Sequence, residues 1–180
     1  MVKMILVSFI VVSIAFISHE IGHKIVAKRH GLYGVFHIWY PGLLLAIASS
    51  FSPVIFAAPG AVRFSFINER EMLDDYTEEM GKIAATGPII NLCLAILFFI
   101  AGIMFVIISL FLTNGEYDIS NNFILNVINM AVYVNIFMAF FNMFPFGPFD
   151  GYKVFRWSKL VWFILILLSG GLYFIPNFLF

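Results

Sequence analysis

The sequence predicts a membrane α-helical protein: about four transmembrane helices, with a re-entrant or membrane-embedded β element between the first two. Three observations carry that prediction. The 180-residue chain is 62% hydrophobic and only 11% charged, against about 45–50% apolar and about 25% charged residues in a soluble domain. Four stretches, residues 4–27, 83–112, 123–146 and 157–175, stay apolar over the ~20 residues that a span requires. A fifth, residues 42–62, is apolar but interrupted by Ser49, Ser50, Ser52, Pro53, Pro59 and Gly60. No repeat, low-complexity tract or soluble segment divides the chain, so residues 1–180 read as one integral-membrane unit. The net charge is zero, which gives no case for a nucleic-acid partner. The single cysteine, Cys93, excludes an intrachain disulfide and reads as a small packing residue.

The first helix is expected over residues 4–30. Lys3 before an apolar run resembles a signal peptide, but Ile25, Val26 and Ala27 prolong the run and no small-x-small cleavage site follows. Orientation follows from the basic residues, which favour the cytoplasmic side in short loops. Apart from Lys3, they fall in three places: Lys24, Lys28 and Arg29; Arg63, Arg70 and Lys82; and Lys153, Arg156 and Lys159. Placing all three on the cytoplasmic face puts the N-terminus outside and makes residues 113–122 a short acidic external loop. Residues 42–62 cannot then be a full span, because the charged stretch after them would be moved outside. Residues 34–66 are therefore expected to enter the membrane and return, and their aromatic and β-branched residues between Pro41, Pro53 and Pro59 suit short strands. Such backbone must be shielded by protein or water. The acidic residues 68–82 read as a cytoplasmic segment beside the membrane, followed by helices over 83–112, 123–146 and 157–175.

The chemistry is concentrated in the first helix, in the stretch SHEIGHKIVAKRH that begins at Ser18. Ionisable groups at the bilayer centre cost about 3 kcal/mol each on insertion scales, so three within one turn need a return on that energy. His19 and His23 lie four positions apart and project from one helical face. That is the spacing with which two imidazoles share a zinc ion, and Glu20 stands where its carboxylate reaches water at that ion. Composition alone would produce this HExxH pattern in about 0.3% of such chains, so the plainer reading, polar residues facing a neighbouring helix, is set aside. With Arg29 at the interface, His23 lies about 9 Å and His19 about 15 Å deeper, from the helical rise. Gly22 leaves room for another backbone or a substrate to approach.

Catalytic zinc takes three protein ligands and keeps one position open. A third ligand must reach the same depth, and Asp150, in the stretch FNMFPFGPFDGYK at the end of the third apolar run, is the strongest candidate. The first and third spans run in the same direction, so their C-terminal ends meet. Pro145 and Pro148 stop regular helix, while Gly147 and Gly151 allow unusual dihedrals. An extended segment holding Asp150 is the expectation. Asn91 follows Gly87 and Pro88 near an expected helix start, with Thr86 as cap and Pro88 in the first turn, and is assigned to interhelical hydrogen bonding. His30 reads as solvated, and His37 has no spacing that supports a role.

Taken together, HExxH in a membrane helix, Gly87-Pro88-Ile89-Ile90-Asn91 in a later span, and Asn142-x-x-Pro145-x-x-Pro148-x-Asp150-Gly151 resemble the site-2 protease family of intramembrane zinc metalloproteases. The resemblance covers residues 9–153. It implies that His19, His23 and Asp150 bind one Zn2+ per chain, that Glu20 is the catalytic base, and that Asn142 assists substrate or oxyanion binding. It implies a transmembrane helix of a membrane-protein substrate, cut near the cytoplasmic side, as in regulated intramembrane proteolysis. The chain departs from the family in having no span before the HExxH helix and no PDZ or CBS module, which makes it read as a minimal core; a homo-oligomer is compatible with it. Two other readings stand beside this one. An intramembrane metal-ion transporter would need acidic or histidine residues along a through-route, which the outer halves of the spans lack. A proteolytically silent homologue that binds transmembrane segments would have no use for Glu20.

Overall fold

The computed structural model describes residues 2–38, 40, 42, 44, 60–66, 77–116 and 122–174. Among them the elements run α1 (Val2–Arg29), β1 (Leu32–Ile38), β2 (Gly60–Phe66), α2 (Thr77–Leu112), α3 (Phe123–Asn142), α4 (Asp150–Trp157) and α5 (Lys159–Phe174). Three of the helices, α1, α2 and α3, are long and apolar enough to cross a membrane by length and composition. The expected fourth span falls on α5, an apolar helix of 16 residues among the described residues.

The bundle buries many small side chains and turns many large ones outward. Ala15, Ala27, Ala84, Ala85, Ala95, Ala131 and Ala139 are buried, while Phe9, Leu97, Phe111 and Leu160 are exposed. Lipid tails are as apolar as leucine, so helices in a membrane gain by bringing backbones close over small residues. At one end of the bundle, Ala84, Ala85 and Leu92 of α2 pack with Ala139 and Met143 of α3, Val154 of α4 and Leu165 of α5. Gly22 serves this close packing too. A Cβ there would collide with the Ile90 side chain, so the neighbour admitted by the glycine is α2.

Strands β1 and β2 pair antiparallel, from Leu32 opposite Phe66 to Ile38 opposite Gly60. The strands sit at the two ends of the stretch expected to be β-rich; its middle, residues 45–59, lies outside the described residues, as do most of the acidic stretch, residues 67–76, and residues 117–121 of the expected external loop. The pair is tied to the helices where Leu32 packs with Ala27 and Ile83.

Several boundaries differ from the sequence expectation. Helix α2 begins at Thr77, not at 83. Glu78 and Glu79 in its first turn complement the helix dipole, and Glu78 pairs with Lys82 at 2.5 Å, so this charged stretch is the helix's own start. Pro88 is consequently interior, and Thr86 caps nothing: its hydroxyl donates to the Lys82 carbonyl at 3.0 Å, one turn back. Helix α3 starts on Asn122, whose side chain accepts from Ile124 N and Leu125 N at 2.9 and 3.1 Å. It ends at Asn142 rather than 146, because Pro145 has no N–H and its ring would meet the carbonyl four residues earlier. The short helix α4 was not anticipated between the last two apolar runs. Ser158, in extended conformation, separates it from α5, and its hydroxyl accepts from Val161 N. Cys93 is exposed on α2 and does not pack inside.

Candidate metal centre

Helix α1 delivers His19 and His23 from one face, and both are buried, at 2% and 5% exposure. Their rings meet edge to face with centroids 4.6 Å apart. Asp150, at the start of α4, is also buried, and its Oδ2 lies 3.1 Å from His19 Nε2 and 3.0 Å from His23 Nε2. The three side chains each offer one ligand atom, all within 4.8 Å of one another. The turn after α3 brings the carboxylate there. Gly151, the second residue of α4, is needed beside that turn, since a Cβ would strike the Met143 carbonyl, and Trp162 Nε1 of α5 donates to the same carbonyl at 2.7 Å.

Each imidazole has its other nitrogen engaged. His19 Nδ1–H donates to Asn91 Oδ1 at 2.6 Å, and His23 Nδ1–H donates to the Ile83 carbonyl at 2.8 Å. A carbonyl oxygen can only accept, so both rings carry hydrogen on Nδ1 and leave Nε2 for a ligand role. Lys153 Nζ stands 3.6 Å from Asp150 Oδ1, the carboxylate oxygen turned away from the histidines. Glu20, next in sequence to His19, has a buried Oε2 with no hydrogen-bond partner among the described residues.

The donor set fits zinc. Two imidazole nitrogens and one carboxylate oxygen are a catalytic complement that leaves a position open. Gly87 of α2 provides a further test of fit. A Cβ at Gly87 would lie 2.5 Å from His19 Nε2 and 2.6 Å from His23 Nε2, within the space that an ion about 2.0–2.1 Å from each nitrogen requires.

The family model for Peptidase family M50 matches residues 7–161. The chain belongs to peptidase family M50. A Methanocaldococcus jannaschii protein named "Putative zinc metalloprotease" is 37% identical over 163 residues, covering 89% of this chain and 74% of that protein. No solved structure matches the M50 chain. The family match and the name of the Methanocaldococcus jannaschii relative support a metalloprotease and so imply zinc, and His19, His23 and Asp150 form a group that could hold such an ion.

Asn142 closes α3 and is half-buried, with its Nδ2 donating to the Met138 carbonyl at 2.9 Å. His30 is exposed, as its position after Arg29 suggests; the side chain of His37, in β1, lies outside the described residues. Four contributors were given no role at the centre by the sequence reading: the Ile83 carbonyl, Gly87, Lys153 and Asn135, whose Oδ1 accepts from Asn91 Nδ2 at 2.9 Å. A sequence signal existed for two of them. Gly87 stands one helical turn before Asn91, and Lys153 stands three residues after Asp150, within reach along a helix.

Proposed function

We propose that the protein is an intramembrane zinc endopeptidase that hydrolyses a peptide bond within a transmembrane segment of a membrane-protein substrate, near the cytoplasmic side. The observation that carries this reading is the convergence of His19, His23 and Asp150 beside Glu20, on helices whose outer surfaces are apolar. Zinc held there supplies a water of lowered pKa, about 7, and a polarised carbonyl. Glu20 takes the proton from the attacking water and returns it to the leaving amine as the C–N bond breaks. Its unpartnered Oε2 is a free acceptor for that proton. Asn142 is assigned to the developing oxyanion or to the substrate backbone, a role in which its Nδ2 would exchange the Met138 carbonyl, to which it donates at 2.9 Å, for the substrate. The clustering of basic residues at the ends of α1 and α4 supports the cytoplasmic side.

A helical substrate hides its peptide bonds and must unwind before attack. The β1–β2 pair, two strands with free edges among the described residues, suits an unwound segment that adds as a further strand. Proline placed along the receiving edge should slow cleavage; unchanged cleavage would remove the strand-addition step from the reading.

The deciding experiment uses Glu20→Gln in the purified full chain, with zinc quantified and a panel of transmembrane peptides as substrates. Retained zinc with cleavage reduced by about 100-fold or more, the scale of general-base loss, supports the protease. Zinc flux into vesicles without cleavage in the unaltered protein would establish a transporter instead. Binding of the peptides without cleavage would establish a silent homologue.

A further inference from the structure

The network behind His19 has a direction. Asn135 Nδ2 donates to the Ala131 carbonyl of its own helix at 2.8 Å, which turns Asn135 Oδ1 towards α2. Asn91 Nδ2 then spends its two hydrogens on that oxygen, at 2.9 Å, and on the Ala15 carbonyl of α1, at 3.2 Å. Only Asn91 Oδ1 is left for His19 Nδ1. If the Asn91 amide turned over, its oxygen would face two acceptors in a buried site, since Asn91 and Asn135 are 0% and 1% exposed. Beside Asn135 lies a cavity of about 290 Å³ whose other walls, including Val11, Phe98 and Val127, are apolar and offer no competing donor.

We propose that Asn91, polarised by Asn135, is a positioning residue that fixes the proton on His19 Nδ1 and so presents Nε2 to the metal. The polarity starts at one backbone carbonyl and passes through two side-chain amides. His23 obtains the same service from the Ile83 carbonyl, so the two rings are set by different means: one by main chain, one by side chains from two other helices. The proposal rests on the zinc reading of the site, which fixes Nε2 as the useful atom.

The test compares Asn91→Leu, which removes the acceptor, with Asn91→Asp, which keeps it while losing the donors to Ala15 and Asn135. The readouts are zinc affinity by chelator competition and the imidazole 15N–1H signals of the full chain in detergent. In the unaltered protein, the His19 Nδ1 proton should appear as a slowly exchanging downfield signal with or without zinc. Asn91→Leu should abolish that signal, leave the His23 signal in place, and weaken zinc binding by about 10–100-fold. Asn91→Asp should keep the signal although its thermal stability falls. Asn135→Leu, which frees the Asn91 amide to turn, should broaden the His19 signal. A merely structural asparagine would make the Leu and Asp variants alike in the His19 signal, and that result would overturn the proposal, as would a His19 signal unchanged in Asn91→Leu. An unaltered protein that binds no zinc would overturn the zinc reading itself, while the proton signals would still decide whether Asn91 holds the ring.

Discussion

The two ends of the helical bundle are built by opposite rules. At the end formed by the C-terminal half of α1, the first half of α2 and the α3–α4 turn, glycines, alanines and hydrogen-bonded polar groups meet at fixed distances. At the other end, Val7, Ile10 and Ile14 of α1 face Phe98 and Val127 across a cavity of about 290 Å³. The first end specifies positions; the second supplies apolar contact that tolerates a gap. Membrane helices gain little from burying apolar area against one another, so close approach and hydrogen bonds are left to define geometry, and they are found where His19, His23 and Asp150 meet.

If that contrast is right, the effects of substitution should fall steeply from one end to the other. The largest belongs to Asp150→Asn, which removes the anionic ligand; zinc affinity should drop by more than the about 10–100-fold typical of outer partners, and cleavage should vanish, as checked by metal analysis and peptide hydrolysis. Gly87→Ala should follow closely. Its methyl group would occupy the space between the two Nε2 atoms, so zinc stoichiometry should fall towards zero while the helical circular dichroism is kept. A Gly87→Ala protein that binds zinc normally would show that the ion does not sit between these histidines. Trp162→Phe should be milder. It deletes the bond to the Met143 carbonyl behind the Asp150 turn, with an expected loss of about 1 kcal/mol in unfolding and a smaller loss of zinc affinity. Smallest of all is Val11→Ile at the cavity, where stability should change within about 0.5 kcal/mol and zinc affinity not at all.

The sequence made some of this legible and hid the rest for identifiable reasons. His19 and His23 could be read because a helical turn is a local rule, and Glu20 because it lies between them. Asp150 could be found from chain direction, since two parallel spans put their ends together, and the structure brings it to 3.0 Å from His23. Pro88 misdirected the reading of α2, because proline marks a first turn in water but is accommodated within membrane helices. The Ala84 carbonyl there has lost its usual donor, and one residue earlier the Ile83 carbonyl receives His23. Helix α4 was missed because eight residues between prolines and an extended serine give too short a pattern. Asn135 gave no local signal at all. Its importance arises from what stands opposite it on another helix, which only the tertiary arrangement reveals.

The spacing of the ligands along the chain has a consequence for biosynthesis. His23 and Asp150 are 127 positions apart, and His19 and Asp150 are 131 apart. Synthesis runs from the N-terminus, so α1 and α2 are made long before the carboxylate, and each partly finished chain carries two imidazoles without their third companion. By placing Asp150 behind the third long helix, the order of the chain itself delays completion of the three-residue group until the helices that carry and flank the histidines have been made.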